Sequence, residues 1–118
     1  MSLRSQRAVP KDDREWIQWL SQQTPQEYEI VVVTTTTHTI EDEDIVIVDD
    51  DTAAGAVAIT VPTAVNNEGR WVHIKKIGST GSVTCTAPET IDNSANQIIS
   101  VQYDNMKIVS DGLEWWII

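Results

Sequence analysis

The sequence predicts a mainly β protein, built as a short-stranded antiparallel sandwich or barrel with one N-terminal helix. Two observations carry that expectation. Val and Ile number 27 and Thr 13, against three Leu and no Phe. Branching at Cβ stiffens χ1 and suits a pleated, half-buried surface, whereas a helical protein of this size leans on Leu, Ala, Lys and Glu. Turn signals also recur every 8–12 residues or so, the spacing of short strands in all-β domains.

In chain order, residues 1–25 form an arm and helix, and residues 26–118 form the β domain. Arg4, Arg7 and Lys11 precede the first acid, Asp12, and make a basic arm suited to an acidic partner or simply to solvent. Pro10 opens a helical segment through Gln23. Trp16, Trp19 and Leu20 share one of its faces, and Asp12, Asp13 and Glu15 lie where the helix dipole favours negative charge. Three turns are marginal alone, so the tryptophans need a surface: this domain's own sheet or another protein of the same assembly. Arg4, Arg7, Trp16, Trp19 and Leu20 are the candidate anchor.

Strands are expected over 28–40, 45–48, 56–61, 70–77, 82–86, 97–103, 106–110 and 113–118. Ala54-Gly55, Asn66-Asn67-Glu68-Gly69, Gly78-Ser79-Thr80-Gly81 and Asp111-Gly112 punctuate them. Asp111-Gly112 suits a two-residue type I′ turn pairing Ser110 with Leu113, Ile108 with Trp115 and Met106 with Ile117 on the core face. Trp116 then projects outward beside Lys107. Ile45-Val46-Ile47-Val48 is apolar on both parities, which asks for cover on two sides. With Trp116 and Ile118 these four residues are the candidate oligomer interface. No internal repeat is evident.

Composition excludes several function classes. A net charge of −10 with eight basic residues is unlike a nucleic-acid surface. One cysteine, Cys85, rules out an intrachain disulfide and reads as a buried thiol. No signal peptide and no run near the ~20 apolar residues of a membrane span are present, so no membrane partner is expected. His38 and His73 lie in strands, expected on exposed faces, without metal-ligand neighbours, and Gly78–Gly81 lacks the lysine and following helix of a phosphate loop. Glu41–Asp44 and Asp49–Asp51 offer oxygen ligands that would suit calcium, but they flank opposite ends of a four-residue strand. Solvated loop charge is the simpler account. No catalytic residue, cofactor or metal is expected. Trp71 is the candidate glycan contact, since a flat aromatic face stacks on sugar rings.

Ala58-Ile59-Thr60-Val61-Pro62-Thr63-Ala64, Gly69-Arg70-Trp71-Val72-His73-Ile74-Lys75-Lys76, Val83-Thr84, Thr90-Ile91-Asp92 and Val109-Ser110-Asp111-Gly112-Leu113-Glu114-Trp115-Trp116-Ile117-Ile118 together form a pattern. It resembles the β-structured C-terminal domains of bacteriophage tail fibres and related virion appendages, over about residues 28–118. Those domains often carry Asp-Gly where this chain has Asp92-Asn93, so a different turn is expected there. The resemblance implies trimerisation, virion location after assembly in the bacterial cytoplasm, other virion proteins as partners and no catalysis. A chain without a shaft fits head decoration, a head fibre or a short tail appendage. The alternative is a host-glycan receptor-binding module of a phage tail.

Overall fold

A computed structural model describes residues 28–118. The expected arm and helix, with Arg4, Arg7, Trp16, Trp19 and Leu20, lie outside the described residues.

The described chain is mainly β, with nine strands and one short helix: β1 (Ile30–Val33), β2 (Thr37–Thr39), β3 (Ile45–Val48), α1 (Asp50–Ala53), β4 (Val57–Thr60), β5 (Trp71–Lys76), β6 (Val83–Ile91), β7 (Ser94–Ile99), β8 (Asn105–Ser110) and β9 (Trp115–Ile117). The expectation of an antiparallel sandwich or barrel is corrected. β1, β3 and β5 stack in parallel, as do β2, β4 and β6. The chain alternates between the two stacks, so each pair of strands is one coil of a short solenoid. Antiparallel pairing appears only at the closing end, where β8 joins β5, β7 joins β6 and β9 joins β8, while β9 also meets β6 in parallel through Ile91 and Trp115. The short connections turn corners to the opposite stack instead of reversing into hairpins. Thr34–Thr36, for example, splits the single strand expected over 28–40 into β1 and β2, which belong to different stacks.

Alternation decides what each strand buries. Val46 and Val48, Val57 and Ile59, Val72 and Ile74, Val83 and Cys85, and Ile108 all lie within the core. Register turns these positions into ladders, such as Val31–Val46–Ile74–Met106 and Val57–Val83–Ile99. Trp115 is completely buried where the two stacks join, and its indole Nε1 donates to Pro62 O at 2.9 Å. Removal of such a side chain costs about 3–5 kcal/mol.

The two expected turns differ from what forms. Asp92 and Asn93 both take positive φ, 52° and 63°, between paired Ile91 and Ser94. That is the φ pattern a two-residue type I′ hairpin demands, and Asn tolerates it. At Asp111-Gly112 only the glycine has positive φ, 93°. The pairs are Ser110 with Trp115, Val109 with Trp116 and Ile108 with Ile117, a four-residue loop shifted by two from expectation. Asp111 explains the longer loop: its carboxylate accepts from the amides of Leu113 and Glu114 and from the Trp116 indole, each at 2.8 Å. A shift of two preserves parity, so Trp115 remains on the core face and Trp116 on the outer one.

One polar group lies deep in the fold. Asp50, at the start of α1, and Lys76, at the end of β5, are 0% and 1% exposed and stand 3.2 Å apart. The loop Gly78–Gly81 wraps the Asp50 carboxylate, with the amides of Gly78, Thr80 and Gly81 all donating at 2.9 Å. Lys76 also donates to Gly78 O. The glycine-rich loop thus cradles an anion, but the anion is the protein's own. A Cβ on Gly78 would fall 2.7 Å from Asp51 N, and one on Gly81 2.5 Å from Ala56 N, so neither position accepts a side chain without moving backbone.

Candidate functional site

The sequence singled out Ile45–Val48, Trp71, Trp116 and Ile118 as surface residues, and the fold distributes them unequally. Val46 and Val48 point into the solenoid and are fully buried by the chain itself. Ile45 and Ile47 point the other way and are half-buried. Register then places them in rows with their neighbours on the outer face of the first stack. Ile30, Ile45, His73 and Lys107 form one row, Val32, Ile47, Lys75 and Asn105 a second, and Trp71, Val109 and Trp116 a third. Ile118 joins the first row, its N–H donating to Lys107 O at 2.9 Å. Ile30, Val32 and Ile118 are 58%, 53% and 69% exposed. Residues far apart in sequence thus share one face, on which His73, Lys75, Asn105 and Lys107 lie between the apolar residues of β1 and β3 and those of β9.

Trp71 is held within this face rather than presented alone. The Lys107 ammonium lies over its ring, 5.1 Å from the centroid, and Tyr28 meets it edge-on at 5.3 Å. A cation over the indole is favourable by about 0.5–1 kcal/mol when partly exposed. A sugar stacking on Trp71 would have to displace Lys107 or use the opposite side of the ring. Trp116 is tied down by its bond to Asp111. His73 shares the face, its Nε2 2.9 Å from Asn105 Oδ1.

Sequence reasoning placed Lys107 outward, beside Trp116, but did not identify the other cations of this face. Residues 28–118 contain four basic side chains, Arg70, Lys75, Lys76 and Lys107, against fourteen acidic ones. With Lys76 buried, Lys75 and Lys107 stand on the outer face of the first stack and Arg70 at its border. No acidic residue occupies an outward position of the five strands in that face. The alternation in Trp71–Lys76 was a signal for this, because it puts Trp71, His73 and Lys75 on one parity. What could not be read was which other strands lie beside them.

Beside this face, the corner leading into β3 carries the acids. Glu29, His38, Thr39, Glu41, Asp42 and Glu43 line an open cleft of about 380 Å³. His38 occupies the inward register position of β2, in line with Ile59 and Cys85, instead of the exposed strand face expected for it. Its Nε2 lies 2.6 Å from Glu43 Oε2, and the other Glu43 oxygen accepts from Glu41 N at 2.7 Å. Burial alone would raise the Glu43 pKa, but its bonds to the Glu41 amide and to His38 outweigh that and hold it below the usual value. Asp44 is committed to the backbone, accepting from Glu29 N at 3.0 Å, and Arg70 Nη2 donates to Glu43 O at 3.0 Å. Glu41 and Asp42 remain exposed.

Neither acidic run assembles a metal centre. Glu41–Asp44 and Asp49–Asp51 sit at opposite ends of β3, and among the described residues no group of three or more His, Cys, Asp or Glu side chains is arranged to hold a metal ion. In the second run, Asp49 caps α1 through Thr52, Asp50 is enclosed, and Asp51 accepts from Ser79 N and from the Thr80 hydroxyl. Cys85 is fully buried, and loss of solvation pushes its pKa up to about 12, so the thiol stays protonated. No helix among the described residues is long and apolar enough to cross a membrane. No family model and no curated protein matches the chain.

Proposed function

We propose that this chain is a non-enzymatic structural module of a bacteriophage virion, a head decoration, head fibre or short tail appendage. It self-associates, as a trimer, through the outer face of its first stack. The observation that carries self-association is that face: Ile30, Val32, Ile45 and Ile47 form an apolar patch across β1 and β3, and Trp116 and Ile118 add a second one at β9, all left outside the chain's own filled core. Contiguous exposed apolar surface of this kind marks an interaction site. Burial at about 25 cal/mol per Å² makes even a modest interface comparable with one subunit's stability. The virion assignment rests on the resemblance of residues 28–118 to phage appendage domains. Arg4, Arg7, Trp16, Trp19 and Leu20 would then attach the module to the particle.

Two measurements test the reading. Sedimentation of the full chain at micromolar concentration is expected to give three times the monomer mass, and a monomer sinks the trimer. Mass spectrometry of purified phage particles that encode the chain is expected to find it in fixed stoichiometry, and its absence from particles sinks the virion role. Trp71, half-exposed on the same face, supports the second reading of a glycan-binding module. Specific signal on a glycan array, lost in Trp71→Ala, would favour that reading.

A further inference from the structure

The charge distribution suggests how copies meet. The outer face of the first stack is apolar and cationic, with Lys75, Lys107 and His73 among its isoleucines and tryptophans and no acidic residue at an outward strand position; Asp111, at its margin, is bound to the Trp116 indole. The rest of the described surface is strongly acidic. A twofold interface made of this face against itself would bring like charges together across the axis, which costs stability. A head-to-tail contact has no such penalty if the face meets an acidic surface of the next copy. The corner Glu41–Asp44 is such a surface, since Glu41 and Asp42 are exposed there while Asp50 and Asp51 are consumed by the loop Gly78–Gly81. This corner lies directly beside the face, leading into β3. A head-to-tail contact of this kind makes a ring where the rotation between successive copies closes, and a filament where it does not.

We propose that a second copy of this chain docks its Glu41/Asp42 corner on the Lys75/Lys107 face, so that copies close head to tail into a ring. This rests on the self-association proposed above and specifies its geometry. Interfacial charge pairs of this kind weaken as salt screens them.

The test is sedimentation of four full-length proteins at low and high salt, with circular dichroism to verify that each is folded: wild type, Lys75→Glu/Lys107→Glu, Glu41→Lys/Asp42→Lys, and the combination of all four. Each pair alone is expected to weaken association by roughly a hundredfold, and the combination to restore it, because the charges are again opposite. Raising salt is expected to weaken the wild type and to relieve both pairs. A monomeric wild type defeats self-association itself. A wild-type oligomer that both pairs leave intact refutes the head-to-tail contact while leaving the trimer standing. Loss with the lysine pair that the combination fails to rescue shows that the face meets something other than the corner, and also refutes it.

Discussion

Replacing Asp50 with Asn is expected to lower stability by about 3–5 kcal/mol, because it leaves the Lys76 ammonium buried without a counter-charge. Lys76 is 1% exposed and has Asp50 Oδ2 at 3.2 Å and Gly78 O as partners. Asn supplies one acceptor where Asp50 supplies two, and its amide protons would face the N–H groups of Thr80 and Gly81 or of Gly78. Lys76→Met is the milder change, at about 1–3 kcal/mol, since the carboxylate keeps its three amide donors. The double variant is expected to be more stable than the sum of the two losses predicts, by about 1–3 kcal/mol, as groups in one network couple. Urea unfolding followed by circular dichroism measures all four proteins. With a slope of about 1.5 kcal/mol per molar, Asp50→Asn should move the midpoint down by about 2–3 M. A shift below roughly 0.3 M would refute the reasoning, since it would mean water reaches Lys76 and the ion pair is not enclosed.

Acid should act through the same carboxylate. Burial raises the Asp50 pKa, but the Gly81 amide, the other amides and Lys76 overcome it, so the folded-state pKa lies below the unfolded one. A group shifted this way contributes stability that is present above about pH 4 and is lost as pH falls through the folded value. Glu43 and Glu89 shift in the same direction, so the urea midpoint should hold constant from neutrality to about pH 5 and fall steeply below pH 4; a midpoint that rises on acidification contradicts this. Ala54 closes α1 with φ 65°, a left-handed conformation that disfavours a Cβ. Ala54→Gly should therefore raise the melting temperature by several degrees, from a gain of about 0.5–1 kcal/mol. Gly81→Ala should do the reverse and unfold the corner, because the added carbon meets the Ala56 backbone. Cys85 should resist a thiol-specific reagent in the native protein and react promptly in urea, and rapid native labelling would show that the second stack opens.

Much of the local structure was legible because alternation is a local property. The strand Ile45–Val48 forms where expected, and Ile108 and Trp115 face the core, as the reading of the closing hairpin placed them. Pairing was not legible. A parallel coil and an antiparallel hairpin carry the same apolar alternation and differ only in where a short connection leads. Nor did a repeat announce the solenoid: Ile30 pairs with Ile45 fifteen residues on, and Ile45 with His73 twenty-eight on. The hairpin shift has a similar origin. Asp111-Gly112 satisfies the rule for a type I′ turn, but the Asp111 side chain can bind three donors in a longer loop, and that option wins. For the proposed interaction face, Ile45, Ile47, Trp71, Trp116 and Ile118 were legible individually. Their shared surface, and the lysines within it, emerge only once β3, β5, β8 and β9 lie side by side.

The unequal coils carry an engineering consequence. Rungs here are aligned by side-chain ladders, not by a fixed residue count, so the corner between one strand and the next can lengthen while the ladder keeps its phase. Closing a longer loop costs only about 0.6 kcal/mol per doubling. The exposed bend around Asn66, in the connection from β4 to β5 and so on the same side of the coil as the acidic corner between β2 and β3, is therefore a place where a foreign peptide can be displayed. If the copies do assemble, each cluster would present that peptide in several identical orientations.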